Sequence, residues 1–147
     1  QTGKKKPPNR APILLESWQQ MIAAAGGAEA LFIGGKSMGG RMASMVACEL
    51  PVRGVVCLGY PFHPPGKPEN LRIDHLPDMK APCLICQGER DPFGKRAEVA
   101  EYDLPDRLEF AWLTDGDHDL KPRKASGLQA EDNWLEAARS IAAFMHR

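Results

Sequence analysis

The chain has 147 residues, 43% of them hydrophobic and 26% charged, and its 19 basic and 19 acidic side chains leave no formal net charge. That balance describes one folded domain rather than a disordered segment. It lacks the basic excess with which a general nucleic-acid binder neutralises phosphates, and its longest apolar runs, such as Ala30–Ile33 and Val55–Leu58, are far shorter than a bilayer span.

Residues 1–12 are basic and Pro-rich, with the run Lys4-Lys5-Lys6, and read as a solvated arm preceding a domain over residues 13–147. Ile13, Leu14, Trp18, Met21, Ile22 and Ala25 recur at helical spacing and predict a helix that Gly26-Gly27 stops. Ala30–Ile33 predicts a short strand, and Gly39–Leu50, rich in Ala and Met, a helix closed by Pro51. Gly54–Leu58 is a second buried strand. A long Pro-rich connection over 60–81 carries His63 and His75, and loops of this length are often lids or pocket walls. Pro82–Gln87 reads as the third strand, Gly94–Tyr102 as a modest helix, and Leu108–Leu113 as the fourth strand. A polar loop over Thr114–Ser126 and an amphipathic helix over Ala130–His146 end the chain. Short apolar strands alternating with helices predict an α/β fold, a parallel sheet with helices on both faces.

Cys48, Cys57, Cys83 and Cys86 all sit in apolar stretches and read as buried free thiols of a reducing, cytoplasmic compartment. The C-x-x-C spacing of Cys83 and Cys86 falls inside a strand, where the two side chains point to opposite faces, and no second ligand pair accompanies it. No metal or organic cofactor is expected.

The sharpest signal is Gly35-Lys36-Ser37-Met38-Gly39, a G-x-S-x-G run between a strand and a helix, the context of a nucleophile elbow. A serine lifted to the top of a sheet needs a tight, strained turn. A Cβ two residues to either side would crowd that turn, which accounts for Gly35 and Gly39, with Gly40 relieving crowding further along. Ser37 then stands at a helix N-terminus, which favours developing negative charge, and the Met38 N–H becomes an oxyanion donor. Two other readings compete. Ser37 could be a plain helix N-cap. Gly35-Lys36-Ser37 could also end a phosphate loop, but the first glycine of that loop falls on Ala30 and its cradle on the strand.

A serine nucleophile needs a base and an orienting carboxylate, which in the hydrolase order follow as acid and then histidine after later strands. Asp91 follows the third strand in Gly88-Glu89-Arg90-Asp91-Pro92-Phe93-Gly94, and His118 follows the fourth in Asp115-Gly116-Asp117-His118-Asp119. Glu89 is the other candidate acid, but Asp91 opens a Pro/Gly turn that can aim a carboxylate back over the sheet. His63 reads as a plain loop histidine.

The elbow, GERDPFG and DGDHDLKP, in this order, resemble an α/β-hydrolase of the dienelactone-hydrolase-like group. The phrase YPFHPPGKPENLRIDHLPDMKAPCLICQGERDPFG is similar to a branch of small bacterial hydrolases. That branch also includes animal testis-expressed homologues and the hydrolase-like region of a nonspecific-lethal acetyltransferase-complex subunit. The resemblance covers about residues 4–147 and implies Ser37, Asp91 and His118 as a catalytic triad. It also implies that this chain is the C-terminal part of the fold. The first strands, and the loop that gives the second oxyanion donor, have no counterpart before Ser37.

Two functions follow as expectations. The first is a serine hydrolase cleaving a small ester, thioester or lactone through an acyl-enzyme, its partner a small molecule rather than nucleic acid or membrane. The second is a catalytically weak, hydrolase-like interaction module. With the early strands absent, Ala30–Ile33 becomes a sheet edge with open N–H and C=O groups. That edge is then covered by a second copy or by an upstream segment, or the 147-residue chain alone is poorly soluble and inactive.

Overall fold

The structure, a computed structural model, describes residues 11–147. Its elements run α1 (Ala11–Ala24), β1 (Phe32–Lys36), α2 (Met38–Glu49), β2 (Gly54–Leu58), β3 (Cys83–Gly88), α3 (Arg96–Val99), β4 (Leu108–Leu113) and α4 (Ala130–Met145). Single 3₁₀ turns occur at Leu76–Asp78 and Lys124–Ser126. The four strands form one parallel sheet in the order β1-β2-β3-β4. β1 is therefore an edge, with no partner on its outer side among the described residues. No helix of the described residues is long and apolar enough to cross a membrane.

Strand alternation sorts the core into two layers. Ile33, Val55, Cys57, Cys83 and Ile85 face one side, where Ile22 of α1 and Ala43, Val46 and Ala47 of α2 cover them. Leu84, Cys86 and Leu113 face the other, against Ala137 and Phe144 of α4. Cys83 and Cys86 thus fall on opposite faces, both buried and unpaired.

Several boundaries differ from the sequence reading. The arm expected over residues 1–12 lies outside the described residues up to residue 10, while Ala11 and Pro12 already belong to α1. A proline in a first helical turn loses no hydrogen bond. β1 starts two residues and ends three residues later than expected and runs through Gly34 and Gly35, which pair with Val56 and Cys57. Glycine is a weak strand former, so hydropathy ends the strand early; pairing with β2 carries it to the elbow. The helix expected over Gly94–Tyr102 shrinks to the single turn Arg96–Val99.

The long connection after β2 is not a lid. Tyr60, Phe62, Leu76 and Met79 are fully buried in the core on the α2 side. The Tyr60 hydroxyl donates to the Arg72 carbonyl at 2.7 Å. Burying such side chains stabilises by roughly 1.5–3 kcal/mol each, before the cost of ordering the chain. His63, expected as a plain loop residue, is also buried. Its Nε2 lies 3.0 Å from a Glu98 carboxylate oxygen and its Nδ1 2.8 Å from the Pro64 carbonyl oxygen.

Candidate active site

The turn from β1 into α2 lifts Ser37 to the C-terminal edge of the sheet. Its backbone sits at φ 53° and ψ −119°, a left-handed φ that a residue with a Cβ adopts at a cost of about 1–3 kcal/mol. Two hydrogen bonds hold it there. The Ser37 N–H donates to the Leu58 carbonyl at 2.8 Å, and the Ser37 carbonyl accepts from Arg41 N–H at 3.1 Å. The Ser37 side chain makes no capping bond to α2, so the N-cap reading does not describe it.

Glycine is required here by close packing, but not at both expected positions. A Cβ on Gly35 would lie 2.7 Å from the Gly39 carbonyl carbon, and one on Gly40 would lie 2.7 Å from the Gly35 carbonyl oxygen. A Cβ on Gly39 would meet nothing within 4 Å. The crowding thus falls on Gly35 and Gly40, and the expectation for Gly39 is corrected. The helix rotates residue 39 away from the strand and turns residue 40 onto Cys57.

Ser37, His118 and Asp91 lie in one hydrogen-bonded row. Ser37 Oγ is 3.0 Å from His118 Nε2, and His118 Nδ1 is 2.8 Å from Asp91 Oδ2. A carboxylate oxygen only accepts, so the contact with Asp91 places the ring proton on Nδ1. The lone pair of Nε2 then faces the Ser37 hydroxyl. Asp91 is fully buried, whereas the His118 side chain keeps 21% of its surface exposed. The second oxygen of Asp91 accepts from Phe93 N–H at 2.8 Å. Glu89, the other candidate acid, is committed elsewhere: Oε1 accepts from Asp115 N–H and Oε2 from Arg96, both at 2.9 Å. These bonds hold its carboxyl below its usual pKa, the backbone bond from Asp115 contributing most.

The loop carrying His118 is tied at both ends. Asp117 Oδ1 accepts from the N–H groups of Asp119 and Lys121. Asn133 of α4, buried, donates to the carbonyls of Thr114 and Leu120. Asp115 pairs with Arg123 at 2.6 Å, and this bond, reinforced by the Arg123 N–H, pulls its pKa down to about 2. Gly59, at φ 65°, comes close to the imidazole: a Cβ there would lie 2.9 Å from the His118 carbonyl oxygen and 3.2 Å from ring atoms.

Met38 opens α2, so its N–H has no acceptor within the helix. A cavity of about 430 Å³ adjoins His118, walled by Leu58, Leu120 and Trp134 and edged by Lys36 and Lys121. Lys36 forms an ion pair with Asp119, which also lines the cavity. Among the described residues, no three His, Cys, Asp or Glu side chains are arranged to hold a metal ion.

Sequence reasoning missed several supports. Gln87, fully buried, holds the start of the connection and the turn after Asp91 together. Its Oε1 accepts from Tyr60 N–H, and its Nε2 donates to the carbonyls of Tyr60 and Gly94. A polar residue ending an otherwise apolar strand was the available signal. A second serine–histidine contact also escaped notice: Ser44 Oγ of α2 lies 2.8 Å from His75 Nε2.

Fold and site together define an α/β-hydrolase. The chain belongs to the alpha/beta hydrolase domain family, whose sequence profile matches residues 1–146. Solved structures agree on the fold. An alpha-beta serine hydrolase homologue from Coxiella burnetii is 15% identical with a TM-score of 0.61, over 93% of this chain and 63% of that one. A monoacylglycerol lipase from Paleococcus ferrophilus is 14% identical with a TM-score of 0.65, over 96% and 77%. The esterase domain of a Rhodothermus marinus protein is 19% identical with a TM-score of 0.63, over 90% and 68%. The chain therefore spans between 63% and 77% of the lengths of these three structures.

Proposed function

We propose that this domain is a serine hydrolase that cleaves a small ester, thioester or lactone through an acyl-enzyme, with Ser37, His118 and Asp91 as its triad. The observation that carries the reading is the row Ser37 Oγ–His118 Nε2 at 3.0 Å and His118 Nδ1–Asp91 Oδ2 at 2.8 Å. In the reaction, Ser37 Oγ forms a bond to the substrate carbonyl carbon while its proton passes to His118 Nε2. The carbonyl oxygen takes up the electron pair and is met by the Met38 N–H. Collapse breaks the bond to the leaving group, which receives the proton from Nε2. Water then gives a proton to Nε2 and attacks the acyl carbon; collapse breaks the bond between Ser37 Oγ and that carbon, Oγ takes the proton back from Nε2, and the carboxylic acid leaves.

Asp91 keeps the imidazole in the Nδ1–H tautomer and offsets the charge of the transient imidazolium. The apolar walls beside His118 favour a substrate with an apolar group next to the scissile bond. The dienelactone-hydrolase-like branch is the proposed place of the protein within its family, on the motifs quoted above. A fluorophosphonate probe followed by peptide mapping tests the reading. Labelling at Ser37, abolished in Ser37→Ala, is expected; an unlabelled Ser37 in folded protein overturns it.

A further inference from the structure

Phe93 touches both members of the acid–base pair. Its N–H donates to Asp91 Oδ1 at 2.8 Å. Its ring stacks on the His118 imidazole, with centroids 4.3 Å apart and planes inclined by 29°. The residue is itself held from behind. The Phe93 carbonyl accepts from the His63 N–H at 3.1 Å, and the buried His63 ring contacts Glu98 of α3. The next residue, Gly94, is packed so closely on Phe62 that a Cβ would lie 2.6 Å from that ring, and its carbonyl accepts from Gln87.

The Asp91 carboxylate limits where Nδ1 can sit but leaves the imidazole free to rock about the line joining the two groups. A flat ring against the imidazole face removes that freedom. It also shields one side of the Asp91–His118 hydrogen bond from water, and it presents π density to the ring when His118 carries the transferred proton.

We propose that Phe93 is a positioning residue for the hydrolytic reaction, its ring holding the His118 imidazole in the plane that joins Asp91 to Ser37. The inference rests on reading these three residues as the triad. The side chain acts by stacking, while the N–H bond to Asp91 belongs to the backbone and survives substitution. Phe93→Leu therefore keeps apolar volume and the backbone bond and removes only the aromatic face, whereas Phe93→Tyr keeps the face.

Two measurements on the purified protein test this. With p-nitrophenyl acetate, Phe93→Leu is expected to lower kcat by about 2- to 12-fold, the worth of one aromatic stack, with KM little changed, and Phe93→Tyr to restore it. NMR of the His118 ring is expected to show the Nδ1–H tautomer set by Asp91 in all three proteins, with the Nδ1 proton slow to exchange with water in the wild type and in Phe93→Tyr and faster to exchange in Phe93→Leu. A leucine variant with wild-type kcat, or with an Nδ1 proton as slow to exchange as in the wild type, overturns the role of Phe93. Absence of turnover in the wild type counts against the triad reading, and the NMR comparison then still decides the positioning role.

Discussion

Two serine–histidine pairs lie in this domain, one at each end of the first half of α2, and distance does not distinguish them. Ser37 is 3.0 Å from His118 and Ser44 is 2.8 Å from His75. Their surroundings differ in every respect that chemistry requires. Ser37 is half-buried on a strained turn, its hydroxyl has no other bond, and the far nitrogen of His118 is held by a buried carboxylate. Ser44 has no exposed surface, and its Oγ donates to the Arg41 carbonyl at 2.6 Å.

With that proton committed, His75 must donate to Ser44 from Nε2, so the imidazole is the donor of the pair and no base faces the serine. The Ser44–His75 contact joins the long connection to α2. Cys48 contributes as well, its thiol facing the Ser44 and His75 carbonyls. The comparison teaches that a nucleophile is recognised by an unspent hydroxyl proton and an oriented base, not by proximity alone.

The largest expected effect tests this contrast directly. Ser37→Ala should lower kcat on the order of 10⁶-fold, whereas Ser44→Ala should leave turnover within a few-fold. Equal losses in steady-state assays would erase the distinction. Asp91→Asn should cost about 10⁴-fold in kcat by favouring the wrong imidazole tautomer. Glu89→Gln, which alters a carboxylate that does not meet His118, should leave kcat within a few-fold in the same assay.

The contrast then reverses in stability. Ser44→Ala leaves the His75 donor without its acceptor and should cost about 1–3 kcal/mol in urea unfolding. Ser37→Ala, which removes a half-buried hydroxyl and leaves His118 within reach of water, should change stability far less. The backbone beneath the first pair gives a companion test. Gly35→Ala forces a Cβ to 2.7 Å from Gly39 and should destabilise by about 1–3 kcal/mol. Gly39→Ala, open on all sides within 4 Å, should be neutral or stabilise by up to about 1 kcal/mol through helix propensity.

The smallest effect is a dependence on pH. Burial, aided by the Arg41 charge, lowers the pKa of His75 below its ordinary value, while Asp74 and Asp78 partly oppose this. The unfolded chain therefore takes up a proton on this ring at a higher pH than the folded protein does. The contribution of neutral His75 is fully present above pH 6.5 and is lost as pH falls from there through the lowered folded value. Thermal unfolding at pH 7.5 and 5.5 should show a smaller drop in Tm for His75→Gln than for the wild type. Equal drops would remove His75 as the source.

Much of the architecture could be read along the chain. β2 and β4 have the predicted limits, because each is a short apolar run bounded by turn residues on both sides. The order of a glycine-flanked serine, an acid and a histidine, each after a strand, likewise singled out Ser37, Asp91 and His118 by residue type and position alone. What hydropathy could not supply was anything set by a partner distant in sequence. The end of β1 was decided by β2, and the need for glycine at residue 40 rather than 39 was decided by Cys57 and by the turn of α2.

What keeps Glu89 away from His118 depended on where Arg96 and the Asp115 N–H came to rest. The burial of His63 and the half-buried seat of His75 against Ser44 depended on the connection folding into the core rather than over the site. Local propensity and periodicity act over a few residues and so are written in the chain. Hydrogen-bond partners and close contacts are properties of packing, and only the tertiary structure assigns them.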